Sequence, residues 1–261
     1  LVLIAGESSA IPAFARKYNM SCKVCHAPFP KVKPYGEDFA ANGFQLPGKE
    51  PPRYAKKTGD DLLLLMRELP LALRFELFGE YENNRVVDPD FRTPYILKLM
   101  SGGNIFKDIS YYFYFFFSER GKVAGIEDAF IMFNNVFSDN VDFDFYAGQF
   151  QVSDPLFKRE LRLEQEDYEI YTSTPGKSKI NLKYDRGFIF TYGAPTKTDL
   201  VFEVINGYGI ETVDLFDEDK YKNYMFRASQ DVAKFMRVGG FGYYGKELPD
   251  TIDNDMFMAG A

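Results

Sequence analysis

The chain has 261 residues and a net charge of −7, with a pI near 5.0. That acidity argues against nucleic acid as a partner and favours basic proteins or cations, while the length suffices for a large core in one or two domains. No stretch reaches the ~20 apolar residues of a membrane-spanning helix, although a spanning β-barrel, whose signal is spread over short alternating segments, stays open. Tyr and Phe are abundant at 18 and 27 residues, Gly numbers 21 and Trp is absent, a mixture typical of β-rich chains because aromatics suit pleated surfaces and glycine suits turns.

Residues 1–10 open on Leu1-Val2-Leu3-Ile4-Ala5-Gly6 and continue with Glu7-Ser8-Ser9-Ala10. This reads either as the tail of a secretory signal with its small-residue cleavage site or as a plain apolar strand.

Residues 11–46 read as a small helical segment. Its centre is Cys22-Lys23-Val24-Cys25-His26, which holds both cysteines and the only histidine of the chain. This is the C-x-x-C-H pattern of c-type haem attachment. Two thiols three positions apart on a helical turn each form a thioether to one haem vinyl group, and the adjacent imidazole ligates the iron. A zinc site needs a second ligand pair, which is absent; a thioredoxin-like pair needs a βαβ context, also absent. A structural disulfide leaves the adjacent histidine unexplained. Haem attachment to this motif takes place outside the cytoplasm, so export is expected.

After His26, Ala27-Pro28-Phe29-Pro30 must leave the helix, because its interior does not accommodate two prolines. A second helix is predicted over Pro34–Ala41, stopping at Asn42-Gly43. It carries Tyr35 and Phe39 four apart on one face. Those rings either cover a haem face or pack the two helices together.

Residues 47–61 are rich in Pro, Gly and charge and read as a linker, dividing a head (1–46) from a second domain (62–261). From residue 62 the period is two. In Leu71–Glu82 the residues Leu71, Leu73, Phe75, Leu77 and Tyr81 alternate with Arg74, Glu76, Glu80 and Glu82. Further strands are predicted at 94–100, 109–118, 126–137, 141–146, 180–185, 187–193, 199–206, 221–229 and 234–244. Gly/Asn/Pro-containing turns join them into an antiparallel meander. The Glu- and Arg-rich interval 151–175 reads as an irregular loop with a short helix. The ending Met256-Phe257-Met258-Ala259-Gly260-Ala261 reads as the first half of another strand, so the sequence is expected to be part of a longer barrel.

The fold class expected is mainly β with a small helical haem segment, the meander forming an outer-membrane-type β-barrel or else a soluble barrel or sandwich. Several candidates have the roughly nine to eleven residues of a tilted spanning strand, against about five or six in soluble strands.

With one histidine, bis-histidine ligation within the chain is impossible, and a His/Met pair requires one of eight methionines. Met66, in the apolar stretch Leu62–Met66 after the linker, is the first candidate for the far side of the iron and Met100 the second. An open position, or ligation by Lys, Tyr or a partner, are the alternatives. The acidic clusters Asp217-Glu218-Asp219 and Asp250–Asp255 read as solvated loops, with cation binding as the alternative.

Ala10-Ile11-Pro12-Ala13-Phe14-Ala15-Arg16-Lys17-Tyr18, Ser21 to His26, Pro30-Lys31-Val32, Tyr35-Gly36-Glu37-Asp38-Phe39 and Asn42-Gly43-Phe44 together resemble the haem head of the fused monohaem cytochrome–porins of iron-oxidising bacteria. The same head occurs in uncharacterised exported relatives. The likeness covers residues 10–46; beyond them only the β pattern agrees. It implies electron transfer at the outer membrane through one covalent haem c, with the head plugging the barrel. Partners would be a redox protein or a periplasmic or extracellular electron donor or acceptor. Two alternative functions follow from the residues: a haem enzyme with an open iron site (a peroxidase or ferrous-iron oxidase), or a haem-bearing subunit of a larger electron-transfer complex; the alternative to the outer membrane as location is the periplasm.

Overall fold

The computed structural model describes residues 13–27, 32–46, 49, 70–81, 90–106, 108–152, 169, 173–174, 178, 180–210, 217, 219–248 and 254–261, with the backbone of 56–57 and 64–65. Most of the expected linker, Met66 and nearly all of the predicted 151–175 loop lie outside the described residues.

The head is helical as the pattern predicts. Helix α1 spans Ala13–Tyr18, a 3-10 turn Cys22–Val24, and α2 Pro34–Ala41. Pro34 opens α2 in its first turn, where its missing N–H costs nothing. The helix ends where Asn42 returns its N–H to the Asp38 carbonyl and Gly43 takes a φ of +65°, the left-handed region in which glycine is unstrained.

Two short strands, β1 (Lys56–Lys57) and β2 (Leu64–Leu65), pair with each other. The remaining strands are β3 (Leu71–Glu80), β4 (Asp90–Phe106), β5 (Ile109–Glu119), β6 (Gly125–Phe133), β7 (Asp142–Gln151), β8 (Tyr184–Ala194), β9 (Thr198–Ile205), β10 (Asn223–Ala233), β11 (Met236–Glu247) and β12 (Asn254–Gly260). They form one ten-stranded sheet in sequence order, an antiparallel meander from β3 to β12. The chain is therefore mainly β with few helices. Among the described residues no helix is long and apolar enough to cross a membrane.

One predicted strand dissolves. The alternation at 180–185 is not a strand of its own: Ile180 and Leu182 are buried coil, and β8 starts at Tyr184. The Ser178 hydroxyl accepts from the Ile180 N–H at 3.0 Å and the Asn181 side chain accepts from the Lys183 N–H at 2.9 Å. These local side-chain-to-backbone bonds substitute for a ladder.

The chain divides into two compact units, one of Leu1–Asn104 with Tyr111–Ile126, the other of Ile105–Ser110 with Glu127–Ala261. In the first unit the helical head shares its packing with β4 and β5. There the even-numbered residues of β5 from Tyr112 to Ser118 are the more buried set, while Phe117 is exposed. Lys98 of β4 is buried, its ammonium 3.6 Å from the Tyr114 ring centre and 5.0 Å from that of Phe116, a desolvated cation held on aromatic faces.

In the second unit the two faces of the sheet differ in burial and in composition. The buried face carries a core of Val201, Ile205, Met225, Tyr243 and Met256 among others, with Ile180 and Leu182 packed on it. On that same face Glu203 is 0 % exposed and Asp185 and Glu247 3 %. Asp185 accepts N–H bonds from Arg186 at 2.6 Å and Gly207 at 2.7 Å, and Asn223 donates to the Tyr243 hydroxyl at 3.0 Å, so Asp185, Asn223 and Tyr243 are hydrogen-bonded inside. The other face is aromatic and open: Phe202 is 40 %, Phe226 49 % and Phe257 72 % exposed.

Register orders that open face into rows. Phe133, Phe145, Phe190, Phe202 and Phe226 stand directly opposite one another across β6 to β10. One row lies to either side: Phe143, Tyr192, Leu200 and Ala228, and Ile131, Ala147, Phe188, Val204, Tyr224, Tyr244 and Phe257. Beyond these the same face turns polar, at Gln149 and Arg186 on one side and at Thr198 and Gln230 on the other.

Candidate haem-attachment site

The motif occupies a single tight turn. Ser21 caps it, its hydroxyl accepting from the Lys23 N–H at 3.3 Å, and the His26 N–H donates to the Cys22 carbonyl at 3.0 Å. Both cysteines are free thiols; Cys22 is exposed and Cys25 half-buried. His26 is half-buried and forms an isolated antiparallel bridge with Val32. Thiol, thiol and imidazole are thus brought onto one short turn.

Helix α2 presses against this turn. A Cβ placed on Gly36 would lie 2.6 Å from Val32 Cγ1, 2.7 Å from the Cys25 carbonyl oxygen and 3.0 Å from Cys25 Cβ, so only glycine allows the helix this close. The Lys33 N–H donates to the Cys25 carbonyl at 2.8 Å and the Lys33 ammonium donates to the Lys23 carbonyl. Burial, with the Cys22 thiol beside it, pushes the Cys25 thiol above its ordinary pKa; the Lys33 charge pulls in the opposite direction.

These features fit a covalently attached haem. The two sulfurs are unpaired and reachable, and the residue after the second cysteine offers a ring nitrogen ligand. Cys22, Cys25 and His26 would hold the group. Among the described residues, no cluster of three or more His, Cys, Asp and Glu could hold a metal ion directly.

The two aromatic candidates on α2 part company. Tyr35 is 45 % exposed, whereas Phe39 is 6 % exposed. Phe39 meets Phe14, Tyr18 and Phe44 edge-on at centroid distances of 5.4, 5.7 and 5.9 Å, and these ring contacts tie α1 to α2. Met100 lies half-buried on β4, two residues before Gly102 and hence on the same side of that strand.

Gly102 marks where the head meets the sheet. A Cβ there would lie 3.0 Å from Tyr112, and 3.3 Å from each of Phe14 and Phe44. Phe44 stacks on Phe14 at 4.9 Å and on Tyr112 at 5.1 Å. Polar contacts pin the edges: Arg16 donates to the Leu71 carbonyl at 3.2 Å, Asn104 to the Gln45 side chain at 3.3 Å, and Tyr18 to the Phe44 carbonyl at 3.0 Å.

Sequence reasoning did not single out Gly36, Lys33, Phe44, Gly102 or Tyr112 as parts of this site. A glycine inside a short helix signals close approach, so Gly36 was readable; the meeting of Gly102 and Tyr112 with the head is a long-range contact that no local pattern encodes. Comparison with known proteins returned nothing: no family model, no curated protein and no solved structure matches the chain.

Proposed function

We propose that this chain is an exported monohaem c-type cytochrome that transfers electrons at the outer membrane, its sheet forming the porin-like β-barrel wall that positions the haem. The observation that carries the haem reading is the geometry of Cys22, Cys25 and His26: two free, accessible thiols and an imidazole on one capped turn, backed by Gly36. The bound haem would supply a reversible one-electron couple. Cys22 and Cys25 would anchor it, His26 would ligate the iron, and exposed Tyr35 of α2 is the aromatic candidate to cover a haem face. Met66 first and Met100 second are the candidates for a second iron ligand; either would make a His/Met pair, the kind of ligation that raises haem potential. No substrate bond is made or broken, and the partners are a redox protein or a periplasmic or extracellular electron donor or acceptor.

The composition of the two faces supports the membrane setting: the open face is aromatic and apolar, while the buried face carries carboxylates among its apolar core, in keeping with the apolar outer face of outer-membrane barrels. The dimension agrees as well. From the polar row at Arg186 to Ala194, beside polar Thr198, β8 advances eight residues, about 27 Å at roughly 3.4 Å per residue. A strand tilt of about 40° projects this to about 20 Å, near the roughly 25 Å apolar band of such barrels.

The test is expression with the c-type maturation machinery, followed by oxidised and reduced visible spectra and mass analysis. One haem retained through denaturation, in a protein recovered with outer membranes, is the expected result. Haem that washes out on denaturation would overturn the attachment, and recovery in the soluble fraction without detergent would overturn the membrane setting.

A further inference from the structure

The connections of the meander sort by length. In an antiparallel meander successive connections fall alternately at the two ends of the sheet. One end therefore holds 107–108, 134–141, 195–197 and 234–235, and the other holds 81–89, 120–124, 152–183, 206–222 and 248–253. The two longest connections share an end, and the three shortest share the opposite one. Outer-membrane barrels have short periplasmic turns and longer extracellular loops.

The head lies at the short-turn end. Its contacts on β4 are Gly102 and Asn104 and its contact on β5 is Tyr112, all next to the 107–108 turn. Its contact on β3 is the carbonyl of Leu71, the first residue of that strand, which pairs with Ser101.

We infer that the haem head faces the periplasm, so that the haem exchanges electrons directly with a periplasmic redox protein, while an extracellular donor or acceptor reaches it only through the lumen. This inference rests on the membrane reading of the sheet.

Native lysines test it without substitution. Lys122 and Lys220 are exposed on long-connection-end segments, Lys197 and Lys234 on short turns, and Lys23 on the head. Holoprotein-bearing cells are treated with a membrane-impermeant amine reagent before and after outer-membrane permeabilisation, and labelled peptides are read by mass spectrometry. The expected result is labelling of Lys122 and Lys220 in intact cells, with Lys23, Lys197 and Lys234 labelled only after permeabilisation. Labelling of Lys23 in intact cells overturns the inference while leaving the membrane reading in place. Protection of all five lysines in intact cells, with the protein in the soluble fraction, overturns both.

Discussion

Phe44 of the head lies stacked on Tyr112 of β5, ring centres 5.1 Å apart with 26° between planes. Phe14 covers the other side of Phe44 at 4.9 Å and 1°. Three rings in a pile, with Gly102 leaving room beneath, hold the helical head on the sheet.

Removing the middle ring should therefore loosen the head. Phe44 is buried, so Phe44→Ala is expected to cost about 3–5 kcal/mol. Tyr112→Phe, which retains the stacked ring, should cost far less. Denaturant unfolding followed by haem absorbance and by far-UV signal checks this; equal losses for the two variants would refute the stacking account.

Gly36 sets how closely α2 approaches the motif. Gly36→Ala places a methyl against the Cys25 carbonyl at 2.7 Å, and backbone has little room to give. An overpacking penalty of about 1–3 kcal/mol should appear as lower covalent haem yield. Spectra of the matured fraction quantify it; wild-type yield would show that the turn relaxes freely.

In the haem-free protein the two thiols should differ in reactivity. Thiolate is the reactive form; Cys22 is exposed, while Cys25 is half-buried with its pKa raised first by burial and then by Cys22. A raised pKa keeps Cys25 protonated further up the pH scale, so Cys25 should alkylate slowly near neutrality and faster as pH rises, with exposed Cys22 the more accessible of the two. Rates from mass spectrometry across pH, with the denatured chain as control, decide the matter.

A charge on the open face separates lipid from water. Phe202 sits in the middle of the three apolar rows. Facing lipid, Phe202→Arg should cost about 2–4 kcal/mol near the bilayer midplane; facing water, an exposed position usually changes by less than about 0.5 kcal/mol. Equilibrium folding into phospholipid vesicles measures the difference.

Much of this was readable from residues. The C-x-x-C-H turn is local chemistry, and α2 begins and ends where Pro34 and Asn42-Gly43 place it, because helix termini are decided by residues within a turn of them. The strands of the meander follow from period-two alternation. The same alternation misled at Ile180–Asp185, where buried coil satisfied by Ser178 and Asn181 produces the same pattern as a ladder.

Alternation also has no sign. Val201-Phe202-Glu203 reads as one apolar and one polar face whichever way the strand is turned; only the register across β8, β9 and β10 buries Glu203 and leaves Phe202 in an open row of phenylalanines. By itself the sequence determined the C-x-x-C-H turn, the helix behind it and the period of the sheet, since each depends on neighbours a few residues apart. Which face of the sheet is buried, and that Phe44 rests on Tyr112, only the tertiary structure decided, since both depend on partners far away in the chain that no local spacing specifies.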